Sequence, residues 1–320
     1  MVSLALAILK TARPRQWIKN LAIFAALIFS GQLFDPELFN LSFTGFLLLS
    51  VLVSSVYFIN DIVDAPRDRL HPFKRNRPIA KGTLPIPVAF LIAIIGIAGS
   101  LYGASLLSGF FFLALLAYFV LQMVYTFFLK EIIILDILAI ATGFVLRIYA
   151  GAFLVDAHLS VWFLLGVISV SLFLAAGKRR AELSILTEKA ASHRKTLSLY
   201  KPQLLDDYLT MFSTSSWLSW ALFTFFQGEE RTFYLSQTVS PHLLDILPLT
   251  ILGSGKLLML TIPIVIFGVM RYLHIVYEGS RAETPERVML GDKPLLVSVF
   301  LWILIVVWVI YGLYPEQSSA

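Results

Sequence analysis

Within 21 residues, from Tyr57 to Arg77, the chain gathers most of the chemistry it could perform. Asn60, Asp61, Asp64 and Asp68 close an apolar run, and Lys74, Arg75 and Arg77 follow directly. At about 100° per residue, Tyr57 and these four oxygen-bearing side chains fall within roughly 100° of arc on one helix face. Oxygen donors clustered this way suit a hard octahedral cation such as Mg²⁺, which shares its shell with substrate phosphates. A solvated helix end would account for one or two carboxylates. It does not account for three aspartates and an asparagine on one face beside hydrocarbon, where ionised groups are costly. Pro66 removes a backbone hydrogen bond inside this run, so a bend that displaces Asp68 is expected.

Other charged residues sit where anions could be held. Asp136, Gly143 and Arg147 share a stripe about 40° wide on one expected helix, with Arg147 about 16 Å along the axis from Asp136. That depth argues against casual surface pairing. Lys130 ends an apolar run, and Lys19 opens another, where a lysine and a helix N-terminus together attract anions. Lys178, Arg179 and Arg180 begin a long polar connection. Membrane anchoring and snorkelling explain part of this cation excess. Arg271, His274 and Glu278 share one face, where a lone histidine is expected to be structural. There is no cysteine, so disulfides and thiolate metal sites are excluded, and no two of the five histidines have the spacing of a zinc site.

The elements that must position these residues are apolar. Of 320 residues, 58% are hydrophobic and 14% charged, with mean hydropathy +0.83, against roughly 25% charged in soluble domains. Nine stretches of spanning or near-spanning length follow: 17–34, 41–64, 85–107, 109–130, 132–155, 159–177, 208–227, 257–277 and 294–314. With the amino terminus cytoplasmic, 22 of the 25 Lys and Arg fall inside, Arg231 and Lys256 outside, and Arg147 within a span. The expected architecture is an all-α polytopic membrane protein, one domain over 1–320, with nine transmembrane helices enclosing a central cavity open to the cytoplasm. Residues 1–16 read as an amino-terminal interfacial segment, because the apolar run is too short for a signal peptide and its cations follow it. Residues 178–207 read as a cytoplasmic lid-like loop.

The motif N-D-x-x-D-x-x-x-D at Asn60–Asp68, followed by K-R-N-R-P-I-A-K-G from Lys74 to Gly82, resembles the first signature of the UbiA superfamily of intramembrane prenyltransferases. Further words resemble its decaprenyl-phosphate phosphoribosyltransferase branch. These are R-P-R-Q-W-I-K-N from Arg13, H-P-F-K from His71, Y-T-F-F-L-K-E-I-I-I-L-D from Tyr125, G-F-V-L-R from Gly143 and K-R-R-A-E-L from Lys178. The resemblance implies Mg²⁺-dependent transfer of 5-phosphoribose from phosphoribosyl diphosphate to a polyprenyl phosphate, with diphosphate released, for cell-envelope glycan precursors. It implies a bacterial-type inner membrane, lipid surroundings and no nucleic acid; the oligomeric state stays open. Asn60, Asp61, Asp64 and Asp68 would surround the metal, with Asp61, Asp64 and Asp136 catalytic. Lys19, Tyr57, Lys74, Arg77, Lys130, Arg147, Lys178, Arg179 and Arg180 would bind substrate.

Two other readings compete. Prenyl transfer from a polyprenyl diphosphate to an aromatic acceptor needs cations for one diphosphate only. Aromatic prenyltransferases of the superfamily carry a second aspartate cluster, whereas here Asp136 stands alone after apolar Ile132–Leu135. A transporter would place its ionisable residues near the bilayer midplane, and here nearly all lie at span ends.

Overall fold

Long apolar runs have no water to satisfy their amides in lipid, so their hydrogen bonds must close within the segment, as helices do. The computed structural model of the protein describes residues 4–70, 74–185, 199–226, 256–278 and 291–312. Seven helices among the described residues are long and apolar enough to cross a membrane. The chain divides into two compact units, one built on Met1–His158 with Ala191–Leu199, the other on Leu159–Ala190 with Tyr200–Ala320.

In the first unit, α1 (Leu4–Ala12) leads into a 3₁₀ helix (Pro14–Phe24) and α2 (Ala25–Phe29). Then come α3 (Pro36–Leu70), a short α4 (Pro78–Lys81), α5 (Ile86–Leu107), α6 (Gly109–Phe127) and α7 (Leu135–Leu154). The hub is α3, against which α1, α4, α5, α6, α7 and the 3₁₀ helix all pack. Toward it α5 buries Ala89, Ala93, Ser100 and Ala104. Such small residues let helix backbones approach where lipid supplies no hydrophobic drive. On α1, Ala7 joins Phe58, Ala65, Ile79 and Leu84 in an apolar cluster, while Leu4, Leu6 and Leu9 stay exposed.

The first expected span, 17–34, is not one α-helix, because tertiary contacts reshape it. Trp17 Nε1 donates to Ser54 Oγ at 3.0 Å, and Asn20 Nδ2 donates to Ser50 Oγ at 3.0 Å. Ser54 Oγ in turn donates to the Ala12 carbonyl at 2.9 Å. A 3₁₀ helix stacks residues three apart, which aligns Asn20 and Ile23 toward α7. There the backbone of Ile23 lies on Gly151, where a Cβ would come 1.9 Å from the Ile23 carbonyl oxygen. Only glycine permits that approach.

The second unit contains α8 (Val161–Ile185), α9 (Pro202–Phe226), α10 (Ile262–Tyr277) and α11 (Lys293–Val307). Its core joins Phe173, Ala176, Leu209, Tyr272, Val276 and Leu295. On α9, Thr210, Ser213, Ser215, Ser216 and Ser219 each donate to a carbonyl three or four residues earlier. Back-bonding satisfies those hydroxyls inside an apolar bundle. These polar side chains lower the hydropathy of the segment expected at 208–227, and α9 is not among the seven apolar helices.

The sixth span was expected to end at 177, with a loop from 178. Instead α8 continues to Ile185, so Lys178, Arg179 and Arg180 are helical. Good helix formers and the Arg179–Glu182 pair at i,i+3 favour that extension. Residues 186–198 of the expected lid, His71, Arg231 and most of the 279–293 connection lie outside the described residues.

Candidate active site

The C-terminal half of α3 carries the oxygen-rich face, and the helix runs unbroken past Pro66. Asp68 stays on the Asp61 side of the helix, within reach of the same arginine. Arg77, at the N-cap position of α4, joins Asp68 to Asp61: its Nη1 lies 2.7 Å from Asp68 Oδ2 and 3.1 Å from Asp61 Oδ1. Asp61 and Asp68 are both buried, at 2% and 4% exposure, so two carboxylates taken from water share one guanidinium. Such burial is tolerated only with close countercharge.

A second guanidinium reaches Asp61 from the amino terminus. Arg13 Nη2 donates to Asp61 Oδ1, and the guanidinium stacks 4.7 Å from the centroid of the Tyr57 ring. Arg13 has φ 52°, in the left-handed region, between α1 and the 3₁₀ helix. Its charge is therefore aimed by an uncommon backbone conformation for a non-glycine residue. In the sequence Arg13 stands only within the R-P-R-Q-W-I-K-N word and among the cations of the interfacial segment. The only signal was its place before Pro14.

Asp64 stands apart from this network, a turn further on. Lys130 Nζ donates to Asp64 Oδ1 at 2.9 Å from the 3₁₀ turn Leu129–Glu131 that follows α6. The Asp64 side chain is 32% exposed, the most accessible of the three aspartates. Asn60, one turn before it, contacts Thr126 on α6. Thr126 also escaped the sequence reading. Lys74 is exposed in the turn Lys74–Asn76, while Tyr57 and Lys19 are half-buried.

Asp136 is fully buried in the first turn of α7, where the helix dipole favours negative charge. The turn that delivers it is strained. Ile134 has φ 70° and ψ −48°, and Leu135 N donates to the Ile133 carbonyl at 2.8 Å across it. A β-branched residue rarely adopts that conformation.

Arg147 is 6% exposed and its three hydrogen-bond acceptors are neutral. Nε donates to Asn20 Oδ1 at 3.0 Å, Nη1 to the Gly143 carbonyl at 2.9 Å and Nη2 to Tyr118 Oη at 2.8 Å. The guanidinium also lies 4.8 Å from the Tyr118 ring centroid and 5.1 Å from that of Phe144. Through these bonds Arg147, expected to hold phosphate, ties the 3₁₀ helix and α6 to α7.

Lys178, Arg179 and Arg180 belong to the second unit. Arg179 is buried and donates to Glu182 at 2.6 Å. Arg180 donates to Asp206 on α9 at 2.7 Å, and Tyr277 donates to the same carboxylate at 3.0 Å.

Among the described residues, no three His, Cys, Asp or Glu side chains stand close enough to cage an ion. The donor set is instead the open kind, with one or two carboxylates and an amide among several cations. Mg²⁺ is held in this way when substrate phosphates complete its shell. Chemically, the face can bind a metal-bound polyphosphate whose charge Arg13, Arg77 and Lys130 help neutralise.

Known proteins are similar to this one over nearly the whole chain. The sequence profile of the UbiA prenyltransferase family matches residues 21–304. The decaprenyl-phosphate phosphoribosyltransferase of Mycolicibacterium smegmatis is 33% identical over 312 residues, covering 94% of this chain and 91% of its own. That of Corynebacterium glutamicum is 32% identical over 97% of this chain and 88% of its own. A solved UbiA homolog from Archaeoglobus fulgidus, bound to GPP and Mg²⁺, superposes with TM-score 0.64 at 20% identity, covering 95% of this chain and 99% of that one. With α3, its acidic face and the flanking helices all inside the matched region, the chain belongs to the UbiA prenyltransferase family.

Proposed function

We propose that this protein is a multi-pass membrane enzyme that transfers 5-phosphoribose from phosphoribosyl diphosphate to a polyprenyl phosphate, releasing diphosphate. The observation that carries this reading is a coincidence: the motif shared with the superfamily is the same α3 face that gathers Arg13, Arg77 and Lys130. The one-third identity to named phosphoribosyltransferases over almost their full length supports the choice of substrates.

Asn60 and Asp64 are the accessible oxygen donors for Mg²⁺, with Asp68 beside them. When bound, the ion supplies charge neutralisation to the departing diphosphate. Asp61 organises two arginines, and those arginines with Lys19, Lys74 and Lys130 hold phosphates in place. Asp136 and Tyr57 are the candidates for ribose hydroxyls. No strong base is needed, because the acceptor phosphate is already ionised, and catalysis rests on positioning. In-line attack at ribose C1 breaks the C–O bond to diphosphate and inverts that carbon.

In this reading nine spans enclose a cavity open to the cytoplasm of a bacterial-type inner membrane, with the amino terminus inside, as the distribution of Lys and Arg supports. The test is direct. Purified protein receives radiolabelled phosphoribosyl diphosphate, a polyprenyl phosphate and Mg²⁺. Label is expected in the lipid fraction. Label staying in water, while polyprenyl diphosphate prenylates an aromatic acceptor, would reverse the assignment.

A further inference from the structure

Thr126 is buried at 3% exposure on α6 and has a single hydroxyl proton to give. Its Oγ1 lies 2.7 Å from the Gln122 main-chain carbonyl and 2.5 Å from the atom of the Asn60 carboxamide placed as Oδ1. A main-chain carbonyl can only accept. With Oδ1 facing Oγ1, one proton would have to serve two acceptors; with the carboxamide NH₂ there instead, the proton goes to Gln122, in the back-bond that threonine makes within helices. What remains on Oγ1 toward Asn60 is lone pairs. An amide oxygen placed there would face them with no proton between, whereas an amide NH₂ would donate to them. The two ends of an asparagine carboxamide are told apart by such networks.

We infer that Thr126 is a positioning residue that turns the Asn60 nitrogen toward α6 and its oxygen toward Asp64 and the metal. The other end of Asn60 makes no hydrogen bond among the described residues, so that oxygen keeps both lone pairs for a ligand. Asn60 and Asp64 are one turn apart on the same face and therefore neighbours. The inference rests on the metal reading proposed above. It adds the group that fixes which atom of Asn60 points inward.

The test uses purified full-length protein and Mn²⁺ with inorganic diphosphate, with free Mn²⁺ followed by electron paramagnetic resonance. Thr126→Val keeps the shape and removes the acceptor, and should weaken Mn²⁺ binding roughly 10-fold or more, as outer-shell changes do. Thr126→Ser should restore binding to within about twofold of the original. The decisive arm is Asn60→Asp, whose carboxylate has no wrong end. In that background Thr126→Val should cost less than about twofold. Equal losses in both backgrounds, no loss in Thr126→Val, or loss of binding in Asn60→Asp itself would overturn the inference. Should the valine variant fail to fold, Thr126→Ala takes its place. Failure of the underlying reading looks different: Asp64→Ala would bind Mn²⁺ as tightly as the unaltered protein.

Discussion

Charge is arranged differently in the two units. In the first, Asp61 accepts from Arg13 and Arg77, and Arg77 reaches both Asp61 and Asp68. In the second, Arg180 meets Asp206, and Arg271 meets both oxygens of Asp292, at 3.1 Å and 2.7 Å. Asp292 also caps α11 through the Leu295 amide at 2.9 Å. Shared, bridged charges can exchange one partner for a metal or a phosphate while keeping another. One-to-one pairs that also cap or staple helices lose their structural job if they let go. The bridged Arg13–Asp61–Arg77–Asp68 network is therefore suited to holding phosphates beside the separately paired, more accessible Asp64, and the pairs of the second unit to holding helices together.

The largest expected effect breaks this contrast most sharply. Arg77→Met should lower donor kcat/KM on the order of 100-fold, since removing one member of a desolvated charge network leaves others unpaired. Arg271→Met should leave it within about threefold, its pair being outside the network. Parallel initial-rate assays check both, and similar losses would erase the distinction between the units.

Arg147 tests the same contrast inside the first unit. Arg147→Met should destabilise by about 2–4 kcal/mol, because Asn20, Tyr118 and the Gly143 carbonyl lose a charged donor. Donor KM in the surviving enzyme should stay unchanged. Thermal unfolding beside KM separates a clamp from a phosphate ligand, which would raise KM without lowering Tm.

Smaller still, Arg180→Ala should cost no more than about 1 kcal/mol, the range of partly exposed pairs. Chemical denaturation in detergent reads that change.

The smallest effect concerns pH. The Arg271 hydrogen bond, helped by the Leu295 amide, holds the Asp292 carboxyl below its usual 3.8. A depressed folded pKa contributes stability that is fully present above the unfolded value and lost as pH falls through the folded one. Stability should therefore decline from about pH 4 downward, and Asp292→Asn should remove that component. Denaturation midpoints across that window measure it.

How much of this was legible beforehand follows from which interactions are local. The oxygen-rich face of α3 was readable because helical period is a property of consecutive residues, and it held even through Pro66. Seven of the nine expected spans, which stand as long apolar helices among the described residues, and the acidic start of α7 were readable for the same reason. Arg13 was not, because its aim depends on a left-handed residue and on a first segment recast as 3₁₀ helix by Ser50, Ser54 and Gly151. The depth of Arg147 was legible, but its neutral partners on two other elements were not. Likewise no spacing announces that Thr126 on α6 meets Asn60 on α3. What one turn of helix decides could be read, and what two elements decide together could not.

The central claim is that the Asn60–Asp64 edge of α3 presents a metal-bound diphosphate for displacement. Asp64→Asn tests it most directly, since it keeps the size and removes only the charge. With saturating Mg²⁺ and labelled phosphoribosyl diphosphate, transfer of label to polyprenyl phosphate should fall at least about 100-fold, beyond the range of outer-shell changes. A variant that transfers label at nearly the original rate would contradict the account.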